Sequence, residues 1–227
     1  MTDRPNPAPS SSGSLVVVLA VVGLAVAAAF GLALVLRSDD EAAPDLATPA
    51  GDGAVEVADI EVSGQDLPAP PEGSGLVDPG QDPAVGLVAP TLRGISPDGS
   101  PVEVAPDGTP RLVLFLAHWC PHCQREVPKV QELVDEGLVP DGVEVVAVST
   151  AVAAPQGNYP PSSWLASEGW TSPVLVDDEG TSAARAYGLT GFPYGVYLDG
   201  EQRVVARTSG EIEPDVVAGL LQQLAEA

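Results

Sequence analysis

Two cysteines three positions apart, Cys120 and Cys123, are the only cysteines in this chain of 227 residues, and they constrain its fold more than any other feature. They follow a nearly continuous apolar run at 111–117. They open a segment whose apolar residues Val127, Val130, Leu133 and Val134 have helical spacing. A Cys-x-x-Cys at such a strand–helix junction puts the first cysteine at a helix N-terminus, where unpaired backbone N–H groups and the helix dipole stabilise a thiolate. The second then sits one turn on, within reach of a mixed disulfide formed by the first. Residues 115–123 read Phe-Leu-Ala-His-Trp-Cys-Pro-His-Cys, so the chain's two histidines, His118 and His122, lie in the same stretch. Dithiol–disulfide exchange is the chemistry this pattern serves. The competing readings are half of a zinc ribbon and an inert structural bridge. A zinc ribbon needs a second ligand pair, and His118 and His122 are too close in sequence to complete a tetrahedral site easily, so no metal is expected.

The first third of the chain reads as a different kind of polymer. Residues 15–36 form a run of 22 positions without a charged or strongly polar side chain. At 1.5 Å per residue it spans roughly 33 Å, enough to cross a hydrocarbon core of about 30 Å. A signal-peptide core is shorter, about 7–15 residues, so the expectation is an uncleaved transmembrane anchor, although alanine-rich stretches leave cleavage open. Arg4 and Arg37 lie on opposite sides of the run and do not orient it. The orientation is argued from the cysteines: a membrane-tethered Cys-x-x-Cys with no other cysteine fits an oxidising, extracytoplasmic compartment. Residues 1–14 are then a short cytoplasmic tail.

Residues 37–84 read as an acidic, Pro/Gly-rich, disordered linker. Between 38 and 84 there are 12 acidic residues, no Lys or Arg and no aromatic residue. Such a segment repels itself and cannot bury enough surface to offset its ordering entropy. Val55, Val57, Ile60 and Val62 suggest a short strand, but the alternation breaks at Ala58 and Asp59, so the stretch is assigned to the linker. The whole chain carries a formal charge of −23 without a basic cluster, which excludes nucleic acid as a natural partner.

The remaining 85–227 read as one α/β domain. Residues 92–95 and 102–104 flank Ser96-Pro97-Asp98-Gly99 as a hairpin. The run at 111–117 is a central strand covered on both faces, and 143–149 is another. Short helices are expected near 162–168 and 180–187, with a strand at 173–176 between them. Strands at 194–198 and 203–208 flank Asp199-Gly200, and 214–225 closes the chain as an amphipathic helix with Pro214 in its first turn.

This order, with the Cys-x-x-Cys at the first strand–helix junction of the domain, resembles the thioredoxin fold with an N-terminal β-hairpin extension. More narrowly it resembles the membrane-tethered TlpA/ResA-like branch of thiol–disulfide oxidoreductases. The likeness rests on the apolar anchor, the leading hairpin, the 115–123 motif followed by Glu126 and Pro128, and the stretches 176–180 and Tyr187-Gly188-Leu189-Thr190-Gly191-Phe192-Pro193. The resemblance implies protein thiols or disulfides as substrates, a membrane or extracytoplasmic redox partner, and no cofactor beyond a Cys120–Cys123 disulfide. It makes Cys120 the nucleophile and Cys123 the resolving thiol. It also implies a cis bond before Pro193, which would turn the Phe192 backbone toward the active site to pair with substrate.

Pro121 and His122 form the dipeptide between the cysteines, as in DsbA-type oxidases. His122 can donate a hydrogen bond or place positive charge near Cys120, which would favour the reduced form and make the disulfide more oxidising. Against that, His122 is an exposed helical residue in the simplest reading. Trp119 either shields the disulfide and contributes to docking or simply packs. The position where thioredoxins often place a buried acid is Leu114 here, so the sequence names no proton acceptor for Cys123. Oxidase and reductase both remain open. So does a copper-delivery protein of the same fold using the same cysteines, although it lacks a third histidine and its only methionine is Met1.

Overall fold

The central strand explains the layering. Every residue of β7 (Arg111–Leu116) is buried, and successive side chains go to opposite faces. Leu112, Leu114 and Leu116 join one core cluster, with α1 (Pro121–Asp135) and α4 (Pro214–Ala225). Val113 and Phe115 join the other, with α3 (Ser182–Ala186) and a small second sheet. A strand covered on both faces has no polar side, which is why its sequence is a continuous apolar run.

In this computed structural model the described residues are 47–50 and 53–226. They include β1 (Ala47–Ala50), β2 (Ala54–Ala58), β3 (Glu61–Ser63), β4 (Gly75–Leu76), β5 (Thr91–Ile95) and β6 (Pro101–Val104) ahead of β7. After α1 come β8 (Glu144–Ser149), α2 (Pro161–Ser167), β9 (Val174–Val176), α3, β10 (Tyr194–Leu198), β11 (Val204–Ser209) and α4. The main sheet has the order β4-β11-β10-β7-β8-β9. β7, β8 and β9 run parallel, and β10, β11 and β4 continue the sheet through antiparallel pairings. β3, β5 and β6 form the small antiparallel sheet, and β1 pairs with β2. The expected hairpin is the β5–β6 pair. Its turn is closed by the Asp98 carboxylate accepting the Ser100 N–H at 2.9 Å, with Gly99 at φ +83°.

The expected anchor at 15–36 and tail at 1–14 lie outside the described residues. No helix among the described residues is long and apolar enough to cross a membrane.

The linker reading does not hold over 53–84. β2 and β3 form there, interrupted at 59–60 where the apolar alternation fails. β3 adds to β5 and β4 adds to β11. The physical reason is that its acids do not merely repel one another. Glu56, buried, accepts the Ser162 N–H at 3.0 Å and the Ser162 hydroxyl at the start of α2. Asp82, also buried, pairs with the fully buried Arg207 of β11. Arg207 donates as well to the Pro68 carbonyl at 2.8 Å and the Tyr194 hydroxyl at 2.9 Å. Addition to existing sheet edges satisfies the strands' backbone, and partners elsewhere in the fold satisfy the two buried carboxylates.

Candidate active site

Cys120 is the N-cap of α1, with extended backbone angles and Pro121 in the first helical position. Pro121 has no N–H to lose and its ring presets the helical φ, so the helix starts there at little cost. The N–H groups of His122 and Cys123 in that first turn have no intrahelical acceptor and make the local potential positive. Cys120 is 6% exposed and Cys123 is sealed at 0%. Of the two, only Cys120 keeps any exposed surface. Both are thiols in this structure. Burial pushes the Cys123 thiol well above its ordinary range, and the nearby Cys120 and Glu126 push the same way.

Opposite Cys120, the Phe192–Pro193 peptide bond is cis. The Cys120 thiol donates to the Phe192 carbonyl across 3.9 Å, so Phe192 and Pro193 stand beside Cys120, the less deeply buried cysteine. Trp119 is partly buried. Its indole N–H donates to the Ala151 carbonyl at 2.8 Å, and its ring meets Phe192 edge-on with centroids 5.8 Å apart. It therefore packs and also walls the site. A groove of about 600 Å³ runs alongside, lined by Ser74, His122, Gly191, Phe192, Ser209, Gly210 and Glu211.

The two histidines part company. His118 is buried; its Nδ1 lies 2.8 Å from the Gly157 carbonyl, and its Nε2 accepts the Ala153 N–H at 3.1 Å. Nε2 must be unprotonated to accept, so the proton sits on Nδ1 and is donated to Gly157. This imidazole splices the loop after β8 to the active-site turn. The His122 side chain is 58% exposed. Its Nδ1 faces the Glu211 carboxylate at 2.6 Å and the Arg125 guanidinium at 3.0 Å, and no hydrogen bond to Cys120 is formed.

Sequence reasoning gave Glu126 no role beyond the family likeness and did not reach Glu211. Glu126 lies on the buried face of α1 with Cys123, Val127 and Val130, and burial pushes its carboxyl up to about 7, with the Ile212 N–H donated at 3.1 Å opposing the shift. The signal was present, since an acid at i+3 from Cys123 falls on the apolar stripe of its helix. Leu114, by contrast, is core. Glu211 gathers three side chains: Arg125 Nε at 2.8 Å, His122 Nδ1 at 2.6 Å and Lys129 Nζ at 3.6 Å. The bonds from Arg125 and His122 hold its carboxyl down at about 2. Nothing local in the sequence points to Glu211.

A family model described as Redoxin matches residues 84–224. The chain belongs to the Redoxin family. Among curated relatives, the redoxin is 30% identical over 118 residues to the thiol:disulfide interchange protein HelX of Rhodobacter capsulatus, covering 52% of this chain and 62% of that protein, just under two thirds. It is 24% identical over 141 residues to the thiol-disulfide oxidoreductase ResA of Bacillus anthracis, covering 62% and 78% of the two chains. The crystal structure of a DsbF homologue from Corynebacterium diphtheriae superposes with a TM-score of 0.55 at 20% identity, over 71% of this redoxin and all of that chain. That likeness establishes the thioredoxin-like α/β fold.

Proposed function

We propose that this redoxin is a membrane-anchored thiol–disulfide oxidoreductase whose domain works outside the cytoplasm on protein substrates. The observation that carries the reading is the asymmetry of the cysteine pair: Cys120 at a helix N-terminus beside the Phe192 carbonyl, and Cys123 sealed behind it. The relatives' names, thiol:disulfide interchange protein and thiol-disulfide oxidoreductase, support it. The apolar run at 15–36 and the lack of other cysteines support the anchor and the oxidising compartment.

In the reducing direction the Cys120 thiolate attacks a substrate disulfide. One substrate sulfur leaves as a thiolate and takes a proton from solvent, and the other stays joined to Cys120. Cys123 then loses its proton and attacks the Cys120 sulfur, forming the intramolecular disulfide and expelling the second substrate thiol. Glu126, one helical turn on from Cys123 on the buried face of α1, is the acid assigned to take that proton, since burial pushes its carboxyl up to about 7 and leaves it partly ionised at neutral pH. Oxidation of a substrate dithiol runs the same steps backwards, and a membrane or extracytoplasmic redox partner resets the pair. No cofactor beyond the disulfide takes part. Copper delivery would draw on an imidazole as well as the thiols; both ring nitrogens of His118 are taken up by loop backbone, and His122 Nδ1 is engaged by Glu211 and Arg125.

The test is turnover of a model protein disulfide by the domain. Cys120→Ser should abolish it. Full turnover in that variant would overturn the assignment.

A further inference from the structure

The dipeptide between the cysteines predicts an oxidising pair, because His122 would lend positive charge to the Cys120 thiolate. The structure places a carboxylate against His122. Glu211 sits just beyond β11, and its Oε1 lies 2.6 Å from His122 Nδ1 and 2.8 Å from Arg125 Nε, with Lys129 at 3.6 Å from Oε2. The next residue anchors it: the Ile212 N–H is donated to Glu126 on the buried face of α1. One two-residue clamp therefore ties the β11–α4 connection to both sides of the cysteine helix. Glu211 and His122 also line the groove that runs to Phe192.

We infer that Glu211 is a positioning residue that sets the poise of the Cys120–Cys123 couple. By pairing with Arg125 and engaging His122 it offsets the positive charge beside the Cys120 thiolate and biases the pair toward donating electrons to substrate disulfides. The inference rests on the oxidoreductase reading and adds its direction, reductase rather than oxidase. The charge balance is direct. The reduced protein carries the thiolate and the oxidised protein does not, so nearby net positive charge favours the reduced form, and neutralising that charge favours the disulfide. The bond to Glu211, and to a lesser degree the charge on Cys120, push the Arg125 guanidinium further toward its cation, which stays charged throughout the working pH range and so fixes the sign of the effect.

The test equilibrates the domain with reduced and oxidised glutathione, two glutathione thiols being oxidised for each Cys120–Cys123 disulfide reduced. Cys120 ionisation is followed in parallel by thiolate absorbance. Glu211→Gln keeps hydrogen-bonding capacity on this part-exposed side chain. It should raise the reduced-to-oxidised equilibrium constant about tenfold, about 30 mV toward the oxidising side, and lower the pH at which Cys120 ionises. Adding Arg125→Gln to that variant should reverse both changes. Raising the salt concentration should shrink the difference between Glu211→Gln and wild type, which a purely structural role would not do. A wild-type domain that equilibrates with glutathione while Glu211→Gln matches it, or moves the other way, overturns this inference alone. A wild-type domain that does not equilibrate at all overturns the oxidoreductase reading, and this inference with it.

Discussion

Arg207 and Glu211 lie four positions apart at the end of β11, and each is half of an arginine–carboxylate cluster. The Arg207 and Asp82 side chains are 0% and 1% exposed, whereas Arg125 and Glu211 are 53% and 25% exposed. The sealed cluster holds chain together. Arg207 takes the Asp82 carboxylate, the Pro68 carbonyl and the Tyr194 hydroxyl, so the acidic segment before residue 84 is fixed to the strand beside the active site. The open cluster joins the residue just after β11 to the cysteine helix at its surface, around His122 and Arg125. Burial makes a pair expensive to break; exposure leaves it screened and weak, and therefore free to serve the site's electrostatics.

The largest effect expected from this contrast belongs to the sealed pair. Asp82→Ala leaves Arg207 charged, buried and unpaired, which costs about 3–5 kcal/mol. Urea denaturation of the domain would read it, and a loss of under about 1 kcal/mol would break the contrast. Glu126 stands next. Its carboxyl moves from 4.5 up to about 7 in the fold, so the folded state keeps the proton to higher pH than the unfolded chain does. That contribution is complete below about pH 4.5 and is lost as pH rises through about 7. Wild-type stability should therefore fall by about 3 kcal/mol across this window relative to Glu126→Gln, which has no such slope. Parallel pH–stability curves for the two proteins would remove Glu126 as a titrating acid. The smallest effect is the sharpest discriminator: Glu211→Gln should move the urea midpoint far less than Asp82→Ala does while shifting the glutathione equilibrium. A large loss of stability there would place Glu211 with the sealed cluster.

The parts of the molecule legible in the sequence are those whose cause is local. The apolar run of β7, the helical stripe of α1 and the Asp98-Gly99 turn each carry a period or a turn residue within a few positions, and each forms as expected. The cysteine pair and Pro193 were legible because motif and family likeness coincide. What escaped depends on long-range partners. Asp82 and Arg207 are 125 positions apart and His122 and Glu211 are 89 apart, and no periodicity links them. Composition alone made 53–84 look like a self-repelling tether, because the buried arginine and the backbone N–H of Ser162 that accommodate its acids come much later in the chain.

The central claim is that one cysteine meets substrate and the other, buried beside Glu126, resolves the product. Trapping tests it most directly. Cys123→Ser, incubated with a disulfide-bonded model protein, should accumulate a stable mixed disulfide, with mass mapping placing the bond on Cys120, because the attacking sulfur survives and the resolving one is gone. Cys120→Ser should trap nothing. Accumulation of the adduct on Cys123 in the Cys120→Ser protein would contradict the account.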